Sequence, residues 1–292
     1  MISPRIDRHT KIILQGISGR AGRLHSRLMR EYGTNLVGGV APPKQDIHDI
    51  NGIPLYPDCE SAVAATGAAV SVALVGAYDL LDAMKEAVAA GIKMIVTPTE
   101  GMPVHDALQA KRLTQEAGVL WIGGSTPGMA IAEEVKLGFL PDVSLKSGHL
   151  GLMSKSGTLS YESGFRLAQH GVGTSVWIGV GGDPVKGARY SDLVPFYAAD
   201  AQTHALLIIG EIGGHDEEDF AAALIAQKFS KPVFALIAGR TAPEGVAMGH
   251  AGALTYGSHG GYAAKRTALE AAGVTVFDSL NAMVDGVAKH ML

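Results

Sequence analysis

Short runs of β-branched and other apolar residues alternate with longer amphipathic stretches along the first half of the chain. The apolar runs predict buried strands at residues 11–15, 35–40, 69–76, 93–97 and 119–122. The amphipathic stretches predict helices at residues 20–32, 78–90 and 105–117. Strands that are apolar throughout are typical of a parallel sheet covered by helices on both faces. The first half is therefore predicted to be a parallel α/β domain.

The same alternation starts again in the second half of the chain. Strands are predicted at residues 149–154, 174–179, 205–210, 232–237 and 274–277. Helices are predicted at residues 158–170, 217–228, 262–272 and 280–289. Residues 129–146, which include Pro141, are interpreted as the connector between the two sets. We therefore predict two α/β domains with parallel sheets, at residues 1–145 and 146–292.

Composition supports a folded protein with many close backbone approaches. Hydrophobic residues make up 47% of the chain and charged residues 18%, which is enough apolar surface for a full core. Glycine accounts for 38 of 292 residues, against about 7% in average proteins, and has no collagen-like period. Such an excess indicates tight turns and segments where a ligand approaches the backbone.

Charge and cysteine content exclude several classes of function. Lys and Arg number 24 and Asp and Glu 28, without a long basic run, so binding to nucleic acid or an anionic membrane has little support. The single cysteine, Cys59, excludes an internal disulfide framework and a Cys-rich zinc site, and no metal site is predicted. The mixed charges of residues 1–10 do not resemble a signal peptide, and the uncharged stretch 61–78 contains polar residues. We expect a cytoplasmic protein.

A glycine cluster, Gly16-Ile-Ser-Gly-Arg-Ala-Gly22, follows the first predicted strand and opens the first helix. Glycines permit a tight turn, and the free N–H groups at a helix start attract phosphate oxygens. A dinucleotide site would place an acidic residue after the second strand, but that position holds residues 38–44, which end in Lys44. The cluster therefore favours a phosphorylated ligand over NAD. Simple packing of the helix against the strand is the alternative.

A second candidate phosphate site, Ser154-Lys-Ser-Gly-Thr158, also lies between a strand and a helix. Ser156 can cap the helix, and the backbone donors of the first turn face outward. The arrangement predicts a phosphate cradle. An ordinary capped helix start has the same sequence features.

Two residues in the second half are candidate catalytic groups. Glu211 follows the strand predicted at 205–210, where ligand sites of α/β proteins form. His250 lies in Met-Gly-His-Ala-Gly-Ala, whose small neighbours leave room for a bulky charged group. A carboxylate beside the ring would fix its tautomer and leave the other nitrogen nucleophilic. Spacing alone does not show that the two residues meet.

Several catalytic motifs are absent from the sequence. It contains no G-x-x-x-x-G-K-[ST] phosphate loop, no H-E-x-x-H, no G-x-S-x-G and no EF-hand pattern. If a nucleotide drives the chemistry, its site is expected on another chain.

Over essentially its whole length the chain resembles the α subunits of succinyl-CoA synthetase and related NDP-forming acid–CoA ligases. The matching segments are residues 15–22, 32–34, 37–40, 99–101, 156–159, 181–184, 209–214 and 248–253. The resemblance implies a CoA-binding Rossmann-like domain followed by a flavodoxin-like ligase domain.

The resemblance also implies roles for individual residues. His250 would be transiently phosphorylated, with Glu211 as its orienting carboxylate and Tyr161 at the acid substrate. Ser156, Gly157 and Thr158 would hold the phosphate of the phosphohistidine. The expected contacts of CoA are Ser18, Gly19, Arg20, Ala21, Lys44, Pro98, Thr99 and Glu100. A partner β subunit with an ATP-grasp fold would bind ATP or GTP with Mg²⁺, in an αβ or α2β2 assembly.

The sequence departs from the family pattern around the reacting groups. A Pro-Asn-Cys-Pro-Gly element is replaced by Gly124-Ser-Thr-Pro-Gly128, and a basic loop before His250 by Pro243-Glu-Gly-Val-Ala247. The arginine that usually precedes Ser-Gly-Thr is replaced by Lys155. These changes suggest a paralogue that uses another small anionic acid, such as malate or sulfoacetate, in place of succinate.

Two other functions compete with the ligase. One is a CoA-binding regulatory protein that has lost catalysis, but the retention of Glu211, His250 and Ser156–Thr158 disfavours it. The other is a nicotinamide dehydrogenase, disfavoured by the absence of an acidic residue after the second strand.

Overall fold

The computed structural model describes residues 3–42, 47–243, 245–246, 249–255 and 260–292. Contacts divide the chain into two compact units. One contains the residues up to Leu140 together with Val185–Gly187, and the other contains Pro141–Pro184 and Ala188–Leu292. The division of the domains at residue 145 stays a prediction.

The first unit is built from alternating strands and helices, as the apolar pattern predicts. Its strands are β1 (Ile12–Gln15), β2 (Leu36–Val40), β3 (Asp49–Ile50), β4 (Ile53–Tyr56), β5 (Val70–Ala73), β6 (Met94–Thr97), β7 (Leu120–Gly123), β8 (Gly128–Ile131) and β9 (Val135–Gly138). Its helices are α1 (Arg20–Tyr32), α2 (Cys59–Thr66), α3 (Leu80–Ala89) and α4 (Val104–Glu116).

In the sheet of the first unit, the order in which strands are added reverses at the central strand, β1. The strand order is β3-β4-β2-β1-β5-β6-β7, and all neighbours are parallel except β3 and β4. The chain moves outward from β1 on one side through β2 and on the other through β5. In such Rossmann-like sheets ligands bind beyond the carboxyl ends of the strands at this switch point. The loop that follows β1 is the glycine cluster.

The second unit repeats the design with a different strand order. Its strands are β10 (Ser147–Ser154), β11 (Thr174–Gly179), β12 (Ala205–Glu211), β13 (Val233–Ala238) and β14 (Thr275–Phe277). Its helices are α5 (Gly157–Gln169), α6 (Tyr190–Ala199), α7 (Asp216–Ala226), α8 (Tyr262–Ala271) and α9 (Leu280–Met291). These strands are ordered β14-β13-β12-β10-β11, which is the flavodoxin-like order. The switch point lies between β10 and β12.

The structure differs from the sequence-based expectation at residues 129–146, which are more than a connector. Within this segment β8 and β9 form an antiparallel pair. The pair belongs to the first unit, where the Thr34 hydroxyl donates a hydrogen bond to the Lys136 carbonyl at 2.7 Å. The two strands are only four residues long, and both are buried, so they lack the polar alternation that marks a hairpin in a sequence.

The hairpin of β3 and β4 and helix α6 are also absent from the sequence-based prediction. The β3–β4 hairpin turns at Asn51 and Gly52, whose φ angles are 56° and 70°, the left-handed pair that a tight hairpin requires. Helix α6 contains Pro195, and proline within a helix normally argues against one. Among the described residues, no helix is long and apolar enough to cross a membrane.

Candidate active site

The loops after β10 and β12 lie at the switch point of the second sheet. Ser154, the last residue of β10, pairs in register with Ile209 of β12. The segment that starts at Lys155 and the end of β12 at Glu211 therefore leave the same edge of the sheet on adjacent strands. Topology thus brings two of the predicted site segments together, although they are separated by more than fifty residues in the sequence.

His250 and Glu211 form a direct hydrogen bond. The Nδ1 atom of His250 lies 2.7 Å from Oε2 of Glu211. Because a carboxylate only accepts hydrogen bonds, Nδ1 is assigned the proton, and Nε2 keeps its lone pair. The carboxylate is 9% exposed and the imidazole 25% exposed, so the ring can be reached from solvent while its partner is held inside. Such an arrangement can make the second ring nitrogen, Nε2, available as a nucleophile.

Glycines allow the His250 loop to lie close to the neighbouring segments. A Cβ atom added to Gly182 would lie 2.5 Å from Cγ of His250, so only a glycine leaves room for the ring. A Cβ atom on Gly213, which has a φ of +91°, would lie 2.0 Å from the carbonyl oxygen of Gly252. The small residues that the sequence shows around the histidine and after Glu211 therefore serve packing between the loops. Glu244, Ala247 and Met248 lie outside the described residues.

Helix α5 begins with a side-chain cap and exposed backbone donors. The hydroxyl of Ser156 accepts a hydrogen bond from the N–H of Leu159 at 3.2 Å. Gly157 is half-buried and Thr158 is exposed. The N–H groups of a first helical turn have no partner within the helix, and the helix dipole adds partial positive charge there. The start of α5 can therefore accept a phosphate group.

Tyr161 lies in the second turn of the same helix. It is partly buried, and burial raises the pKa of its phenol to about 12. The hydroxyl therefore stays protonated at neutral pH and can donate a hydrogen bond to an anion. Its backbone carbonyl accepts a hydrogen bond of 2.8 Å from the Ser144 hydroxyl, which fixes this turn of the helix.

A cluster of charged side chains, all buried except the partly exposed Glu218, adjoins Glu211 and was not predicted from the sequence. Its members are Lys155, Asp216, Glu217, Glu218 and Lys265. Acidic residues fill positions 216–219 at a helix start, a pattern typical of an exposed face. Nothing in that pattern distinguishes Glu217, which is fully buried. Among the described residues, no group of three His, Cys, Asp or Glu side chains is arranged to hold a metal ion.

In the first unit, the glycine cluster forms a tight turn into α1. A Cβ atom on Gly22 would lie 2.2 Å from the carbonyl oxygen of Gly16, so the helix begins directly against the turn. Gly19 occupies the N-cap position without a side-chain hydrogen bond. Gly19, Arg20 and Ala21 are exposed, while Ser18 is partly buried. The N–H of Gly19 donates to the carbonyl of Gly16 at 3.1 Å, and the N–H groups of the first turn, which begins at Arg20, lie at the carboxyl end of the sheet.

The second predicted CoA segment, Pro98–Glu100, lies at the same edge of the sheet. The hydroxyl of Thr99, which follows β6, donates a hydrogen bond of 2.7 Å to the carbonyl of Val75, which follows β5. A Cβ atom on Gly16 would lie 2.4 Å from the carbonyl oxygen of Leu74. The segment after β5 therefore joins the two predicted segments. Lys44 lies outside the described residues.

Family models match both halves of the chain. A CoA-binding domain matches residues 7–101, and a CoA-ligase domain matches residues 153–275. The first contains the glycine cluster and the second contains Glu211 and His250. The chain is thus of the class that joins a CoA-binding domain to a CoA-ligase domain.

Relatives over the whole chain identify the family. The α subunit of the ADP-forming succinate–CoA ligase of Aquifex aeolicus is 42% identical over 286 residues, 97% of this chain and 93% of that protein. An α subunit named for the same activity in Archaeoglobus fulgidus is also 42% identical, over 97% of both chains. A subunit of the ADP-forming sulfoacetate–CoA ligase of Bilophila wadsworthia is 41% identical over 92% of both. The chain belongs to the family of succinate–CoA ligase α subunits.

Solved structures share the fold at low sequence identity. An ATP citrate lyase from Methanothrix soehngenii, solved with citrate and coenzyme A, matches 97% of this chain with a TM-score of 0.88 and 22% identity. This chain spans about half of that protein, 50% of its length. A dinucleotide-forming acetyl-coenzyme A synthetase from Ca. Korarchaeum cryptofilum matches with a TM-score of 0.75 and 21% identity. The fold predicted from the sequence is confirmed.

Proposed function

We propose that this chain is the α subunit of an NDP-forming acid–CoA ligase that works through a phosphorylated His250. The observation that supports this most directly is the 2.7 Å hydrogen bond between His250 Nδ1 and Glu211, which leaves Nε2 as the nucleophile. The proposal assigns CoA binding to residues 1–145 and the phosphohistidine to residues 146–292. A CoA-binding protein without catalysis would not need a histidine held in this way.

The reaction divides one difficult condensation into three displacements. Nε2 of His250 attacks the terminal phosphorus of the nucleotide, and the nucleoside diphosphate leaves. A carboxylate oxygen of the acid substrate then takes the phosphoryl group, and Nε2 is released. Finally the CoA sulfur, having lost its proton, attacks the acyl carbon, and phosphate leaves. Positioning and charge stabilisation supply most of the rate in such steps.

The remaining predicted residues have roles in binding. Ser156, Gly157 and Thr158 would hold the transferred phosphoryl group at the start of α5, where backbone donors are oriented before the reaction. The neutral phenol of Tyr161 would donate a hydrogen bond to the acid. On the first unit, residues 18–21 and 98–100, with Lys44, would bind CoA.

The nucleotide is assigned to a partner subunit. The sequence has no phosphate loop of the P-loop type, and the relatives are named as α subunits. We infer a β subunit with an ATP-grasp fold, which would supply the site for ATP or GTP and its Mg²⁺ in an αβ or α2β2 complex. The complex is expected to work in the cytoplasm, as the sequence predicts.

The acid is proposed to be a small anion with a second negative group. Succinate, malate and sulfoacetate all belong to this class, and relatives named for succinate and for sulfoacetate are similar to this chain to nearly the same degree. The altered segments at residues 124–128 and 243–247 favour an acid other than succinate. CoA thioester formation by the purified complex should be measured with each acid. A clear preference for succinate would contradict this part of the proposal.

Phosphohistidine formation tests the reaction itself. The complex with its β subunit, incubated with ATP labelled at the terminal phosphate, should acquire an acid-labile, base-stable label on this chain. The label should be lost in His250→Asn. The matched control is His149→Asn. The ring of His149 stacks on that of His204, with ring centroids 4.1 Å apart, and this variant should keep the label. A wild-type complex that binds CoA but never acquires the label would support the catalytically inactive alternative.

A further inference from the structure

One side chain of the second unit, Glu217, is fully buried and lies between two lysines. Its Oε1 atom is 2.9 Å from Nζ of Lys155, and its Oε2 atom contacts Nζ of Lys265. The Lys155 side chain is 4% exposed and that of Lys265 is fully buried. Neither lysine nor Glu217 has a part in the proposed reaction.

Glu217 and Lys155 are charged at neutral pH. Burial opposes the charged form of Glu217, but the two lysines outweigh it and lower the pKa of the carboxyl. Burial likewise opposes the charged form of Lys155, but Glu217 and Asp216 outweigh it and raise the pKa of that lysine. A buried ion cluster is weak evidence for a gain in stability, because taking charges out of water is costly. A gain in stability therefore does not explain why the cluster lies beside Glu211, and we look for its role in the contacts that it makes.

The cluster contacts the segments that form the phosphohistidine site. The backbone N–H of Glu211 donates a hydrogen bond of 3.1 Å to Oε1 of Glu217. Lys155 directly precedes Ser156, the cap of α5, and its own N–H donates to the carbonyl of Ile209 at 3.1 Å. A single carboxylate is therefore bonded both to the backbone of the residue that orients His250 and to the residue before the phosphate-binding helix.

Packing around the carboxylate leaves little freedom. A Cβ atom on Gly210 would lie 2.6 Å from Oε1 of Glu217, so the carboxylate rests against the end of β12. Lys265 also donates to the carbonyl of Gly214 at 3.0 Å and so holds the loop that leads from β12 into α7. Movement of Glu217 would therefore move the end of β12.

We propose that Glu217 is a positioning residue that, held by Lys155 and Lys265, sets the Glu211 carboxylate and hence the His250 ring relative to the start of α5. This inference rests on the proposed phosphorylation of His250. Glu217 itself contacts neither substrate nor the reacting atoms. Its effect on the reaction passes through Glu211.

The test is a double-mutant cycle in the complex with the β subunit. Glu217→Gln keeps the shape of the side chain but has one acceptor oxygen, which cannot serve both lysines and the Glu211 N–H. We expect the rate of His250 phosphorylation to fall at least about 10-fold, with CoA affinity unchanged. If Glu217 acts through Glu211, the double variant Glu211→Gln/Glu217→Gln will be little slower than Glu211→Gln alone.

The control is a buried hydrogen bond at the opposite end of the same sheet. Ser175 and Thr203 lie 2.6 Å apart through their hydroxyls, and Ser175→Ala removes this contact away from the site. We expect Ser175→Ala to lower thermal stability without slowing phosphorylation. The inference would be overturned if the two substitutions at Glu211 and Glu217 slowed phosphorylation independently, so that their fold-reductions in rate multiplied in the double variant. It would also be overturned if Ser175→Ala slowed phosphorylation as much as Glu217→Gln.

Lys155 provides a second test if Glu217→Gln does not fold. Lys155→Met should slow phosphorylation, and Lys155→Arg, which keeps the charge, should restore most of the rate. Equal rates in Met, Arg and wild-type enzymes would overturn the inference. A wild-type complex without a phosphohistidine label would instead overturn the proposed function, so the two failures are distinguishable.

Discussion

The starts of helices α1 and α5 are two solutions to the same structural problem. Each helix follows a central strand at the switch point of its sheet and presents first-turn N–H groups there. The start of α1 is capped by Gly19 without a side-chain bond, and its neighbours are exposed. The start of α5 is capped by Ser156 and follows a buried, ion-paired Lys155. The start of α1 therefore offers only backbone groups exposed to solvent, whereas the start of α5 is supported by buried charged side chains.

The difference corresponds to the two proposed functions. Binding a phosphorylated ligand requires donors and room for close approach, and glycines supply both. A covalent step also requires a nucleophile and its partner to be held in a defined geometry. The second unit achieves this with buried side chains that join β12, α7 and α8 beside the imidazole. Substitutions in the two units should therefore affect different steps of the reaction.

Glu211→Gln should have the largest effect and should sharpen the comparison most. The amide cannot orient His250 in the same way, nor stabilise positive charge on the ring, so phosphorylation should slow by roughly 10²- to 10⁴-fold. CoA affinity, measured by calorimetry, should not change. Glu270→Gln on the exposed surface of α8 is the control, and a Glu211→Gln enzyme as fast as this control would contradict the assigned role.

Gly182→Ala should give the next largest effect. The new methyl would lie 2.5 Å from the His250 ring and must displace it, which should slow phosphorylation by up to about 10²-fold. Gly261→Ala is the matched control, because that glycine has an ordinary φ of −71° and open space around its Cβ position. Equal labelling rates in the two variants would show that the ring position is not critical.

Gly22→Ala should affect the other unit alone. Its methyl would lie 2.2 Å from the Gly16 carbonyl and must distort the turn, so CoA should bind about 10-fold more weakly. The rate of His250 labelling should remain that of wild type. Leu24→Ala, on the exposed side of the same helix, should leave both properties unchanged. Loss of labelling in Gly22→Ala would break the proposed separation between binding and covalent chemistry.

The smallest expected effect is a pH dependence of the first unit. Burial, and then the nearby charge of Lys136, lower the pKa of His25, whose ring lies 4.2 Å from that of Phe139. The unfolded chain therefore takes up this proton first, and stability should fall as the pH decreases below about 6.5. As the pH is lowered over this range, the Tm of His25→Gln should decrease by about 1–2 °C less than the Tm of the wild type. An equal decrease of Tm with pH in the two proteins would contradict the assignment of this effect to His25.

The fold was largely predictable because helices cover both faces of each sheet. Strand β13 is then apolar throughout, β5 and β12 are mostly apolar, and amphipathic helices separate the strands, a pattern visible without any tertiary information. The β8–β9 pair and α6 were not predictable in this way. Four-residue buried strands have no distinctive period, and Pro195 gives the wrong signal for a helix.

The candidate site was predictable as a set of segments but not as a geometry. Glycines 16–22, the capped start of α5 and the small residues around His250 are visible because each is a local pattern of residue types. The contact between His250 and Glu211 joins residues 39 positions apart, and only the register of β10 with β12 and the loop after β13 brings them together.

By itself, the sequence determined the alternation of strands and helices, and it indicated the helix starts proposed to bind phosphate and the residues proposed to react, because each is a pattern of neighbouring residues. The tertiary structure alone decided that Glu217 and Lys265 are buried and that Glu217 accepts a hydrogen bond from the backbone N–H of Glu211. Burial of a charged side chain depends on what packs against it from distant parts of the chain. No local pattern records this, since the same acidic helix start would be equally suitable at the surface.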